Sequence, residues 1–218
     1  MRFAAKLATL LLAVMPLACT AADNSNAKYK LGEHYFPVRN AQKAADDQQI
    51  QVTEVFWYGC PHCYKFDAYI DRWLARKPAD VNFQRLPTSL GRPVGLMHSK
   101  AFFAAQDLGV FKEFHPLFFQ AMHEQRMPMD SPAAIGSIFE RVGIATPEFD
   151  NSFNGFAVDS QVRKAESLIR DFGITSVPSV VIGGRYWTNA TVAGGSYDKM
   201  LEVVDQVVAE LRRERSGK

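Results

Sequence analysis

Cys60-Pro61-His62-Cys63 is the stretch of this sequence best equipped for chemistry. Two thiols with two residues between them can close a disulfide and exchange it with a third thiol. The pair follows an apolar run, Val52 to Tyr58, and precedes a segment with helical periodicity, so it falls at a strand-to-helix junction. Unpaired backbone N–H groups and the positive end of the helix dipole favour an anion at such a helix start. Cys60 is expected there, with His62 adding positive charge when protonated. Both effects lower the Cys60 pKa and make its sulfur the attacking or leaving atom. Cys63, one turn inward, is expected to be buried, with an ordinary or raised pKa, and to act as the resolving thiol. Stabilising the thiolate of the reduced form also makes the disulfide the stronger oxidant.

Two plainer uses of the motif compete. Half a zinc site needs two more ligands. The remaining cysteine, Cys19, lies far upstream, and His34, His98, His115 and His123 show no paired spacing near the motif. A purely structural disulfide would close a very small loop and contribute little through chain entropy. The expectation is therefore a redox-active pair, with no metal and no cofactor.

The N-terminus indicates the compartment. Arg2 and Lys6 form a charged start, Leu7 to Leu17 an apolar stretch, and Ala18 to Ala22 a run of small residues. That is the pattern of a secretory signal peptide over residues 1–22, cut near Ala21 or Ala22. Cys19 is either discarded with it or is the lipidated first residue of a lipoprotein; Pro16 stands where a lipidation signal expects Leu. Disulfides persist in the oxidising space outside the cytosol. The whole chain carries 25 basic and 23 acidic residues. Removing residues 1–22 takes away Arg2 and Lys6 and no acid, so the mature chain is formally neutral and no sequence-wide charge argues for nucleic acid. Elsewhere no apolar run reaches the roughly 18 residues of a spanning helix.

The elements that position the motif can be read in order. Residues 23–28 read as a polar leader. Tyr35-Phe36-Pro37-Val38 suits a short edge strand, because Pro37 cannot donate to a ladder. Residues 39–50 read as loop with a helical turn, and Gln51 to Trp57 as a strand carrying one acid, Glu54. A helix opens at Pro61, where the missing N–H costs nothing, with Phe66, Ile70, Trp73 and Leu74 on one face. Val81 to Leu86 is a second strand. Leu96 to Leu108, Phe111 to Met122 (with Pro116 as a potential kink), Ser131-Pro132 onward and Thr146-Pro147 onward read as helices, the last two opened by cap and first-turn proline. A longer helix runs from Val158 to Phe172 and stops at Gly173. Ser179 to Ile182, the turn at Gly183-Gly184 and Arg185 to Thr188 make a hairpin. Ser196 caps a final helix with Leu201, Val204, Val207, Val208 and Leu211 inward and Arg212, Arg213 and Arg215 at its end. The expected fold is α/β, with a central mixed sheet and an inserted helical region.

Glu54, Cys60-Pro61-His62-Cys63 and the distant Val177-Pro178 before a hairpin together resemble the thioredoxin superfamily. With the signal peptide, the Pro-His dipeptide and the helical insertion, the chain is similar to the DsbA family of periplasmic thiol:disulfide oxidoreductases over about residues 29–213. The resemblance implies a thioredoxin-like fold divided as 23–94, a helical insertion at 95–160, and 161–218. It implies a cis bond at Val177-Pro178 facing the disulfide. Val177 would present its backbone to an extended substrate, and Pro178 would keep metal away. It implies that Glu54 lies beneath the disulfide and helps move the Cys63 proton; an edge-strand charge reaching solvent is the alternative. Asp67 matches an acid of the family, though a solvated helix face accounts for it equally. Phe56, Trp57, Tyr58, Tyr64 and Phe66 are read mainly as core, partly as groove wall, and His98, His115 and His123 as surface or satisfied core residues. The implied activity is donation of the Cys60–Cys63 disulfide to folding exported proteins with free cysteines by a periplasmic monomer, with reoxidation by a DsbB-like membrane protein linked to quinone. A reductase or isomerase would use the same chemistry in another direction, and a peptide-binding chaperone would need the disulfide only structurally.

Overall fold

The structure, a computed structural model, describes residues 27–42 and 48–217. The signal-peptide region, Cys19 and the middle of the 39–50 loop lie outside the described residues.

Five strands form one sheet: β1 (Phe36–Pro37), β2 (Ile50–Phe56), β3 (Val81–Pro87), β4 (Ser179–Ile182) and β5 (Tyr186–Thr188), in spatial order β1-β5-β4-β2-β3. β2 and β3 are parallel, joined through helix α1 (Pro61–Leu74), and the other pairings are antiparallel. The sheet is therefore mixed, and Pro37 sits on its edge strand. The β4–β5 turn has both Gly183 and Gly184 at positive φ (60° and 64°), with Arg185 N–H donating to the Ile182 carbonyl at 3.1 Å. That geometry is why two glycines stand there.

The remaining helices are α2 (Pro93–Asp107), α3 (Phe111–His123), α4 (Pro132–Arg141), α5 (Thr146–Phe153), α6 (Phe156–Phe172) and α7 (Tyr197–Ser216). Ser131 and Ser196 cap α4 and α7 through their hydroxyls, which accept from Ala134 N–H and Lys199 N–H. Gly173 ends α6 in the left-handed conformation. The α5 start differs from expectation by one residue. Ala145 is the N-cap and Thr146 is already helical; the Thr146 hydroxyl donates to Glu140 at 2.7 Å, so it is committed to α4 and caps nothing. Positions 94/95 and 160/161 fall inside α2 and α6.

Two apolar layers flank the sheet. Ile50, Val52, Val180 and Ile182 pack with Phe66, Ile70 and Trp73 of α1 and with the Met200–Leu211 face of α7. Val55 and Val181 lie in the other layer, with Phe102, Phe114, Phe118, Phe139 and Phe149 of the helical region. α1 thus runs over one face of the sheet, and its first turn emerges at the C-terminal end of β2, where the helical region also reaches. Trp73 ties α1 to α7 by donating to Asp205 at 2.7 Å.

A Cβ added at Gly183 would lie 2.5 Å from the Leu211 side chain, on a backbone at positive φ. Gly183→Ala should lower stability by about 1–3 kcal/mol. A urea midpoint that moves while the slope stays constant would show it.

Candidate active site

The chain leaves β2 through a tight turn. Cys60 N–H donates to the Trp57 carbonyl at 3.0 Å, with Tyr58 and Gly59 between them. A Cβ on Gly59 would fall 2.3 Å from the Trp57 ring, so this turn needs a glycine. Cys60 is then the N-cap of α1 (φ −96°, ψ 114°), Pro61 opens the helix, and the Cys60 carbonyl accepts the first helical bond from Tyr64 N–H at 3.1 Å. No side chain caps this helix and no acid occupies its first turn. The free N–H groups at the start of α1 are left for sulfur.

Both cysteines are free thiols in this structure. The Cys60 thiol is pulled down to about 6, chiefly because the Cys63 S–H donates to it; burial opposes this, and the backbone N–H groups of Cys63 and His62 and the charge of His62 add to the lowering. Cys63 has no exposed surface, and burial followed by the adjoining Cys60 sulfur drives its pKa far up. One thiol is thus poised as an anion while its neighbour keeps its proton, which is the asymmetry disulfide exchange requires. The Val177–Pro178 bond is cis, and the Val177 carbonyl lies 3.7 Å from the Cys60 sulfur.

Glu54 is buried, only 2% exposed, on the face of β2 that α1 covers. It does not reach solvent at a sheet edge. Burial raises its pKa to about 7, against the attraction of Arg85. Arg85 stands opposite Glu54 in the β2–β3 register, its Nε 3.2 Å from Glu54 Oε2. Those two atoms lack a well-aligned hydrogen bond, so the contact is mainly Coulombic. The same guanidinium lies 2.7 Å from Asp67 and 3.5 Å from Asp71. Asp67 is a partnered acid rather than a solvated one: burial would raise its pKa, but His115 and Arg85 more than offset that and hold it below the usual value. One cation facing three carboxylates leaves Glu54, the most buried, short of compensation. It can take up and release a proton near neutrality.

Of the residues singled out from sequence, Cys60, Pro61, His62, Cys63, Val177 and Pro178 meet at this end of the sheet, with Glu54 upstream in β2. Phe56, Tyr58 and Phe66 are core, whereas Trp57 and Tyr64 are half-buried. Arg85 was not anticipated, although a lone arginine sharing the inward parity of Val81 and Phe83 was a visible signal. Beside the motif, His62, Tyr69, Val177, Pro178, Thr191 and Tyr197 help line an open groove of about 570 Å³, and Tyr197 donates to the His62 carbonyl at 3.1 Å. Among the described residues, no three His, Cys, Asp or Glu side chains converge on one point that could hold a metal ion.

The family model described as a DSBA-like thioredoxin domain matches residues 51–202. The thiol:disulfide interchange protein DsbA of Pseudomonas aeruginosa is 31% identical over 204 residues, covering 94% of this chain and 95% of that one. The crystal structure of the Pseudomonas aeruginosa protein superposes with a TM-score of 0.80 at 30% identity, over 87% of this chain and 97% of that one. A Proteus mirabilis DsbA solved with a non-covalently bound peptide matches with a TM-score of 0.69 at 25% identity, over 84% of this chain and 100% of that one.

The shifted thiols carry a pH signature. In the reduced protein one thiol should titrate near pH 6 by thiolate absorbance, with the second still protonated at alkaline pH. The Cys60 pKa is depressed in the folded state, so its stabilisation of the reduced form is present above the ordinary thiol value of 9.0 and is lost as pH falls through about 6. A disulfide has no such group. The thermal-midpoint advantage of the dithiol form over the disulfide form should therefore shrink across that window; an advantage independent of pH would contradict it.

Proposed function

The chain belongs to the DsbA family and is a thiol:disulfide oxidoreductase, and from that premise we propose that Cys60 and Cys63 are its reacting pair, working as an oxidant of exported proteins. The observation that carries the reading is the set of donors converging on the Cys60 sulfur, which favour the reduced, anionic form and so drive electrons toward this protein.

The steps balance as follows. A substrate thiolate attacks the Cys60 sulfur of the Cys60–Cys63 disulfide. A substrate–Cys60 S–S bond forms, the Cys60–Cys63 bond breaks, and the electron pair leaves on Cys63, which takes up a proton. Glu54, buried under this end of the sheet and titrating near 7, is the group proposed to relay that proton. A second substrate thiolate then attacks the substrate sulfur of the mixed disulfide. The substrate departs with a new disulfide, and Cys60 leaves as a stabilised thiolate. Pro61 and His62 belong to the site by shaping and charging the first turn of α1. Val177 and Pro178 form the opposite wall, where an extended peptide would lie; the similar Proteus mirabilis DsbA is solved with a non-covalently bound peptide.

The substrates are proteins with cysteines. We propose further that the protein is a periplasmic monomer, exported by residues 1–22, acting on folding proteins and reoxidised by a DsbB-like membrane protein. It divides functionally into 23–94 and 161–218 around a helical insertion at 95–160.

Three variants test this. Cys60→Ala should abolish oxidation of a reduced, unfolded protein. Cys63→Ala should accumulate a mixed disulfide through Cys60. Glu54→Gln should leave the Cys60 reaction with small thiols in place while slowing turnover several-fold and removing an inflection near pH 7 from the rate profile. Full activity in Cys60→Ala would end the redox reading.

A further inference from the structure

The turn that delivers Cys60 is held by more than its own backbone. Trp57 Nε1 donates to His98 Nδ1 at 3.1 Å, and His98 Nε2 meets the Met129 carbonyl at 2.9 Å. The Tyr58 hydroxyl meets His115 Nδ1 at 2.7 Å, and His115 Nε2 lies 3.2 Å from Asp67 Oδ1. The Tyr58 carbonyl meets His123 Nε2 at 2.7 Å. Three histidines from α2 and α3 therefore converge on two consecutive residues, Trp57 and Tyr58, just ahead of the motif.

The partners dictate the protons. An indole N–H only donates and a carbonyl only accepts, so His98 is neutral with its proton on Nε2. A carboxylate only accepts, so His115 donates from Nε2; with the ring kept neutral by burial, its Nδ1 accepts the Tyr58 proton. His123 donates from Nε2 to the Tyr58 carbonyl. Burial lowers the pKa of His98 and of His115, which agrees with neutral rings. The rings also pack: His98 stacks on Trp57 with centroids 6.1 Å apart, and His123 stacks on Tyr64 at 5.0 Å. A phenylalanine would fill the same space, but only a histidine adds a directed bond to the turn.

We propose that His98, His115 and His123 are positioning residues for disulfide exchange: from the helical region they fix the Trp57–Cys60 turn, and with it the place of the Cys60 sulfur over the start of α1 and against Val177. Charge-assisted bonds to a sulfur anion depend on distance and direction. A turn free to shift would move the sulfur off the α1 N–H groups without touching them. The inference rests on the redox reading of Cys60 and adds a device to it.

His123→Phe keeps the ring and deletes the bond to the Tyr58 carbonyl. It should raise the Cys60 pKa by about one unit and weaken the protein as an oxidant about tenfold in its equilibrium with glutathione. His123→Gln, whose amide can donate to the same carbonyl, should restore most of both. Tyr58→Phe removes only the hydroxyl held by His115 and should shift both quantities the same way by less. Thermal unfolding is measured alongside. If His123→Phe and Tyr58→Phe lower the melting temperature while Cys60 pKa and glutathione equilibrium stay within about twofold of the parent, the histidines only pack the core and the proposal fails. Should His123→Phe not fold, the unmodified protein decides by nitrogen NMR. His123 and His115 should be Nε2-protonated and shift between dithiol and disulfide forms; identical spectra in the two forms would overturn the proposal. Parent protein that does not exchange with glutathione would instead refute the redox reading itself.

Discussion

A negative charge on a cysteine that the fold has largely covered is the constraint on which this structure turns. Cys60 is 9% exposed, and burial alone would keep it protonated. What reverses the balance is a set of donors that exists only because of where the chain changes from strand to helix. Cys60 occupies the N-cap, so the first N–H groups of α1 have no carbonyl to serve and turn toward the sulfur. Cys63, one turn on, supplies its S–H because it is too buried to ionise itself. When the two sulfurs are joined, no charge remains for these donors to stabilise. The same geometry therefore weights the equilibrium toward the dithiol.

The second constraint lies below. A parallel β2–β3 pair brings Glu54 and Arg85 to the same rung, on the face that α1 covers. A carboxylate there is expensive unless neutralised, and the neutralising cation is shared with Asp67 and Asp71. Asp67 obtains the shortest contact and a second partner in His115, which leaves Glu54 the worst served of the three. Burial and dilution of the one cation, rather than burial alone, bring Glu54 into the neutral range. A lysine at 85 could not span Glu54 and Asp67 with separate nitrogens as the guanidinium does.

How much of this was legible in the sequence follows from how local each determinant is. The helix starts at Pro61, Ser131 and Ser196, the stop at Gly173 and the hairpin at Gly183-Gly184 are set by residues within a few positions of one another, and each stands where its local pattern puts it. Thr146 is the exception: its hydroxyl is taken by Glu140, a partner outside the cap pattern, and the helix begins one residue early. The meeting of Glu54 with Arg85, and of Asp67 with both Arg85 and His115, depends on register and on helix docking, which no local pattern encodes. The cis Val177–Pro178 wall was recognised through resemblance to a family and not through local sequence. The three histidines were read only as satisfied or surface residues. They are satisfied, but the identity of the groups they satisfy could be seen only once α2 and α3 were in place.

The two polar systems meet at His115. From the Tyr58 hydroxyl, contacts run through His115, Asp67 and Arg85 to Glu54, each link 3.2 Å or shorter. Both ends of that chain belong to the same stretch of backbone: Glu54 lies within β2 and Tyr58 in the turn that leaves it. The network thus loops from the strand, out through α3 and α1, and back to the strand just ahead of Cys60. Asp67 is its junction, because it touches both the arginine beside Glu54 and the histidine that meets Tyr58. Glu54 and Asp67 share Arg85, so a proton on Glu54 would leave that cation to Asp67 and Asp71. The buried charges of β2 and α1 and the turn ahead of Cys60 thus share one connected set of contacts, one side of which runs through α3.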